Sequence, residues 1–203
     1  MKINRALYFA LFIMMFSLTI QAQINENFSD GDFINNPTWT GDDSLFKIST
    51  YSSSTWSEQP RLQLNATQAG TAHLRFPNPI VNIDSTEWRF WVRLSLSSGT
   101  STTNNARVYL TSDSANLLGP LNGYYVMFGD DASSTSDNIT LWRQTGAGMT
   151  KIINGTIGNI TSSKNISIKV LRDNSGNWKL YSDTTGGTNY QLEGEAADVT
   201  YTF

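Results

Sequence analysis

The chain has 203 residues and no cysteine, with 14 Lys/Arg against 17 Asp/Glu, 39% hydrophobic and 12% aromatic residues. A disulfide scaffold, a thiol enzyme and a Cys-rich zinc site are therefore excluded, and no basic footprint for nucleic acid is present. Charge is sparse at 15% and aromatics are plentiful, which argues against a disordered chain, while Ser, Thr and Asn supply 65 residues suited to turns and solvated strand faces.

In chain order, residues 1–22 read as a secretory leader. Lys2 and Arg5 precede an apolar run, 6–20, that is shorter than the ~20 residues needed to span a bilayer. Ala22 ends the leader at a small residue, so the exported chain begins at Gln23 with 12 basic against 17 acidic side chains, net −5. No later segment is apolar enough to span a membrane.

Beyond Gln23 short alternating runs replace helical periodicity, each bounded by Gly, Pro, Asn, Asp or Ser. Strands are predicted at 61–65 (Leu62, Leu64 on one face) and 71–76 (Ala72, Leu74, Phe76). The strongest follows at 87–96, where Trp88, Phe90, Val92, Leu94 and Leu96 alternate with Arg89, Trp91, Arg93 and Ser95. Further strands are read at 107–111, 123–129, 138–143, 165–171 and 177–183, with polar loops at 97–105 and 130–137. Asp173-Asn174-Ser175-Gly176-Asn177 is a hairpin turn with Gly176 supplying positive φ. Residues 198–203 begin a further strand. The pattern predicts an all-β, antiparallel sandwich of about ten strands forming one domain, 23–203.

Catalytic signatures are sparse. His73 is the single histidine and alternates outward with Thr71 and Arg75, so no multi-His metal site or Ser-His-Asp set is supported. A glycosidase of this architecture needs two facing carboxyl groups. Glu193 and Glu195 have period-two spacing but read as an edge or loop, and Glu87 is the other carboxylate to examine. Glu26, Asp30 and Asp32 place hard oxygens within a short segment, either as ligands of a structural calcium or as turn caps. Trp91, Tyr125 and Trp142 alternate away from the apolar sets, with Arg143 beside them. That is either a surface on which sugar rings stack or further core covered by loops.

Gly176-Asn177-Trp178-Lys179-Leu180-Tyr181-Ser182-Asp183, preceded by Ile166-Ser167-Ile168-Lys169-Val170, resembles the G-x-W-x-L-Y-x-D hairpin of laminin-G-like, concanavalin A-like jelly rolls. Glu26-Asn27-Phe28, Trp39-Thr40-Gly41-Asp42, Leu62-Gln63-Leu64, the run from Glu87 to Val92, Asn105 to Leu110 and Leu121 to Val126 resemble a domain of exported Bacteroidetes surface proteins, found ahead of lamin-tail domains. The resemblance implies an antiparallel jelly-roll β-sandwich ending short of its last strand or strands, with downstream domains in the full protein. It implies an accessory module on the cell exterior, with a polysaccharide or glycan as partner and no transferred glycosidase activity. A divergent glycoside hydrolase or lyase of the same fold, and a purely structural adhesion domain, are the other readings.

Overall fold

The computed structural model describes residues 23–53, 56–95, 100–129, 137–160 and 162–203. The leader lies outside them, as do Leu96 at the end of the strand read at 87–96, and 97–99 and 130–136 of the two long polar loops. The described residues form twelve strands: β1 Thr40–Gly41, β2 Phe46–Ser53, β3 Trp56–Leu64, β4 Leu74–Arg75, β5 Thr86–Leu94, β6 Ala106–Ser112, β7 Leu121–Phe128, β8 Ile139–Gly146, β9 Gly148–Asn154, β10 Lys164–Arg172, β11 Asn177–Asp183 and β12 Gln191–Ala197. One 3-10 turn, Asp43–Leu45, precedes β2. No helix among the described residues is long and apolar enough to cross a membrane.

All strand pairs are antiparallel. One four-stranded sheet has the order β12-β11-β10-β5, the other β6-β7-β8-β9, and β1-β4 and β2-β3 are two-stranded ribbons. The two larger sheets face each other as a β-sandwich. Period-two alternation aims Trp88, Phe90 and Val92 of β5 inward, in register with Val170, Ile168 and Ile166 of β10. From the opposite sheet come Tyr124, Val126 and Phe128 of β7 and Ile139 and Leu141 of β8, all fully buried. Trp178 is the largest buried side chain and stacks on Trp88 at 5.6 Å between centroids while tilting against Tyr124 at 4.5 Å. Phe90 meets Phe128 edge-on at 6.5 Å. Each fully buried Ile or Leu contributes roughly 1.5–3 kcal/mol. An exposed ion pair such as Lys179–Glu195 (3.4 Å) contributes roughly 0–1 kcal/mol, so the inward rows hold the sheets together.

The turn at 173–177 forms as its sequence dictates. Asp173 Oδ1 accepts from the N–H groups of Ser175 and Asn177, and Gly176 takes φ +77°. Two expected strands change. The run at 71–76 shrinks to Leu74–Arg75, because Asp42 and His73 exchange main-chain and side-chain bonds there and Pro77 follows. Residues 198–203 run across the end of the sandwich without joining a ladder. The Ile83 N–H donates to Thr202 O (2.9 Å) and Thr111 Oγ1 to Phe203 O (2.6 Å). Four further strands lie where no strand was expected: β1, β2, β9, and β12 at the edge of its sheet.

Candidate functional site

The face of β6–β9 turned away from the core carries an aromatic row. Tyr109, Tyr125, Trp142 and Lys151 are successive cross-strand partners, one from each strand. The same alternation that buries Val108, Val126 and Leu141 sends these residues outward. Tyr109 and Tyr125 lie 5.0 Å apart between centroids, and Tyr125 and Trp142 lie parallel at 6.2 Å.

Hydrogen bonds fix each ring. Trp142 Nε1 donates to Thr140 Oγ1 (2.7 Å), and Tyr109 OH donates to Gln144 Oε1 (2.7 Å). Gln144 is itself held because its Nε2 donates to Gly119 O and Gly146 O. Burial raises the Tyr109 hydroxyl above its ordinary range, against the opposing pull of the Arg107 charge, so the phenol stays a donor at neutral pH. Two cations lie on the rings: the Arg107 guanidinium 5.3 Å from the Tyr125 centroid, and Lys151 Nζ 5.2 Å from that of Trp142. Lys151 Nζ also donates to Asn154 Oδ1 (3.2 Å).

Of the residues singled out from sequence, only Tyr125 and Trp142 share this face. Tyr125 is fully buried beneath its neighbours, with its OH against Met149 Sδ (3.3 Å), so it forms the wall of the row rather than a contact surface. Trp142 and Tyr109 are half-buried and present ring surface. Trp91 belongs to β5, on the outer face of the other sheet, and the Arg61 guanidinium covers its ring at 4.3 Å. Arg143 points to the opposite side of β8 from Trp142, where Nη1 pairs with Asp198 Oδ2 and donates to Thr200 Oγ1 (2.8 Å). Successive strand residues face opposite ways, so Trp142 and Arg143 do not serve one ligand.

The acidic segment is occupied by its own turns. Glu26 Oε1 accepts from Phe28 N–H (2.6 Å) and Asp30 Oδ1 from Asp32 N–H (3.3 Å). Asp32 Oδ1 accepts from Ile34 and Asn35 N–H groups and Oδ2 from Asn35 Nδ2. The Asn35 side chain, then the Ile34 N–H, holds the Asp32 carboxyl below its ordinary range. Among the described residues no group of three or more His, Asp or Glu side chains is placed to hold a metal ion. His73 is half-buried, with Nδ1 3.0 Å from Asp42 Oδ2, and ties β4 to the segment after β1.

The remaining carboxylates are also engaged. Glu87 pairs with Arg89 on its own strand face. Glu193 accepts from Thr156 N–H (2.7 Å), Asn159 Nδ2 (2.7 Å) and Ser182 Oγ, joining the loop after β9 to β12 and β11.

Arg107, Tyr109 and Lys151 complete the row but were not singled out from sequence. Alternation with Val108 and Leu110 already places Arg107 and Tyr109 outward, whereas their neighbours depend on register. A second unforeseen cluster lies under the last residues of the chain. Asp198 accepts from Tyr124 OH (2.7 Å) and pairs with Arg143, while buried Arg172 pairs with Asp84. No family model, curated protein or solved structure matches this chain.

Proposed function

We propose that this chain is an exported, non-catalytic module of concanavalin A-like jelly-roll type. It serves as an accessory domain of a larger cell-surface protein and binds glycan on the outer face of β6–β9. The observation that carries the reading is the ordered row Tyr109–Tyr125–Trp142, which lies outside the core and is fixed by hydrogen bonds at both ends. Flat rings held in fixed orientation offer apolar planes to the C–H faces of sugars, and exposed Asn154 lies beside them as a polar side chain. The engagement of Glu87, Glu193 and Glu195 by neighbouring groups supports the non-catalytic reading.

Affinity electrophoresis through gels containing polysaccharides tests this. The wild-type chain is expected to be retarded by at least one polymer. Trp142→Ala is expected to weaken that retention about tenfold or more with its thermal transition retained. No retardation by any polymer, or equal retardation of Trp142→Ala, overturns the assignment. A purely structural surface domain is the second reading, and the Arg61 guanidinium lying over Trp91 favours it.

A further inference from the structure

We propose that Gln23 is a modification site. Once the leader is removed, the Gln23 side chain closes on the new α-amino group to give a pyroglutamyl ring, and that ring seats in the cleft between Pro37 and the segment from Phe76 to Pro79. This rests on the exported reading above, because it needs the chain cut after Ala22.

The first observation is where Gln23 lies. Ile24, Glu26 and Phe28 are half-buried and alternate with exposed Asn25 and Asn27, so the chain after Gln23 is laid against the fold with one face inward. Phe28 meets Trp39 at 6.0 Å between centroids, and Trp39 meets Phe76 edge-on at 4.6 Å. Gln23 is thereby held at an open cleft of about 400 Å³, walled by Ile24, Pro37, Phe76, Pro77 and Pro79 and completed by two asparagine amides.

The second is the character of that wall. None of the residues lining the cleft has a charged side chain. Glu26, the carboxylate nearest in sequence, turns its Oε1 to the Phe28 N–H (2.6 Å). A terminal ammonium placed among proline and phenyl surface loses hydration and gains no counter-charge from the lining. The lactam removes that terminal charge. Its methylene groups suit the proline rings and the Phe76 face, and its amide edge suits the asparagine amides.

The third is that the reacting group is accessible. Gln23 is exposed, and among the described residues no hydrogen bond holds its side-chain amide. The unprotonated α-amino nitrogen attacks the side-chain carbonyl carbon Cδ of the same residue, a reaction favoured by proximity. The N–Cδ bond closes the ring, the Cδ–Nε2 bond breaks, and Nε2 takes up the proton lost by the amine and leaves as ammonia. No oxidant, reductant or further reactant enters.

The test expresses the full chain with its leader in a bacterium that exports it, and takes the exported form to intact-mass measurement and stepwise N-terminal degradation. Expected is a chain that begins at residue 23, is lighter by one ammonia and resists degradation. Gln23→Ala, which has no amide to lose, is expected to begin at the same residue and to be degraded from its first cycle. Pyroglutamyl aminopeptidase is expected to release the ring about tenfold or more slowly from the native chain than from a cyclised synthetic peptide of residues 23–32. A chain that begins at residue 23 with its Gln intact overturns the proposal while the exported reading stands, and so does a chain cut at another residue. A chain that keeps residues 1–22 overturns both. Release as fast as from the peptide also overturns the proposal, because the ring then has no seat in the cleft.

Discussion

Asp198 is nearly excluded from solvent, with a side chain 4% exposed, and all but one of the groups that bond it come from distant parts of the chain. Tyr124 of β7, Arg143 of β8 and the Thr200 N–H all donate to its carboxylate, and its main-chain oxygen accepts from Trp178 Nε1 of β11 (3.1 Å). Burial alone pushes this carboxyl upward. The Thr200 N–H, the Tyr124 hydroxyl and the Arg143 charge outweigh burial and hold it below its ordinary range. Burial first, and then the Asp198 carboxylate, raise the Tyr124 hydroxyl, so Tyr124 remains a donor. Removing the carboxylate leaves the Arg143 cation without its counter-charge. Asp198→Ala is expected to lower the unfolding free energy by about 3 kcal/mol, read by urea titration. Tyr124→Phe, which removes one hydrogen bond and keeps the ring packed on Trp178, is expected to cost about 1 kcal/mol. Equal costs for the two would contradict a charge-centred cluster. Sequence spacing gives no access to this cluster, because Tyr124 and Asp198 are 74 residues apart and meet only through the fold.

Among the elements, the β10–β11 hairpin depends most on one backbone position. Gly176 takes φ +77°, and a Cβ there would collide with Val199 Cγ1 and crowd Asp198 O at 3.0 Å. Gly31 also has positive φ, +84°, but open space around it. Gly31→Ala is expected to cost about 1 kcal/mol from the backbone alone. Gly176→Ala is expected to cost clearly more, because the Asp198 segment must shift as well. Comparable thermal midpoints for the two variants would count against that segment resting on the turn. This hairpin was legible in the sequence because turn chemistry and a clean two-residue period coincide in it, and β5 was legible for the same reason. The strand β9 was not: a register shift opposite Leu141/Trp142 breaks its alternation and leaves Ile152 and Ile153 adjacent. The strand β12 was hidden by its own composition, Gln191-Leu192-Glu193-Gly194-Glu195, which suits a sheet edge and resembles a loop. The same division runs through the candidate site. Outward placement of Tyr125 and Trp142 follows from period two, whereas the cations covering the rings, and the complete burial of Tyr125, depend on which strand lies beside which.

At the scale of the whole molecule, acidic residues concentrate in turns and strand junctions, where several are held in their charged form. Asp198 is one. Asp183 is another: burial pushes it up, but the Thr185 hydroxyl and the N–H groups of Thr185, Asn189 and Gly187 prevail and lower it. Both folded values lie below the unfolded one, so the unfolded chain takes up protons first as pH falls. Stability is fully present above about pH 4 and drains away as pH drops through the folded values. The urea midpoint is expected to be level from about pH 5 to 8 and to decline below about pH 4, with a shallower decline for Asp198→Asn. A midpoint that rises with acid would contradict the direction of these shifts. The last six residues bear on the molecule in another way. Tyr201 OH bonds Asn122 and Thr145 of the β6–β9 sheet. Phe203 O bonds Thr111 of the same sheet, and Thr202 O bonds Ile83 just ahead of β5 in the opposing one. Tension applied at Phe203 is therefore shared between the two layers at once. It loads them side by side, as a strap across two plates, instead of unzipping a single strand one bond at a time.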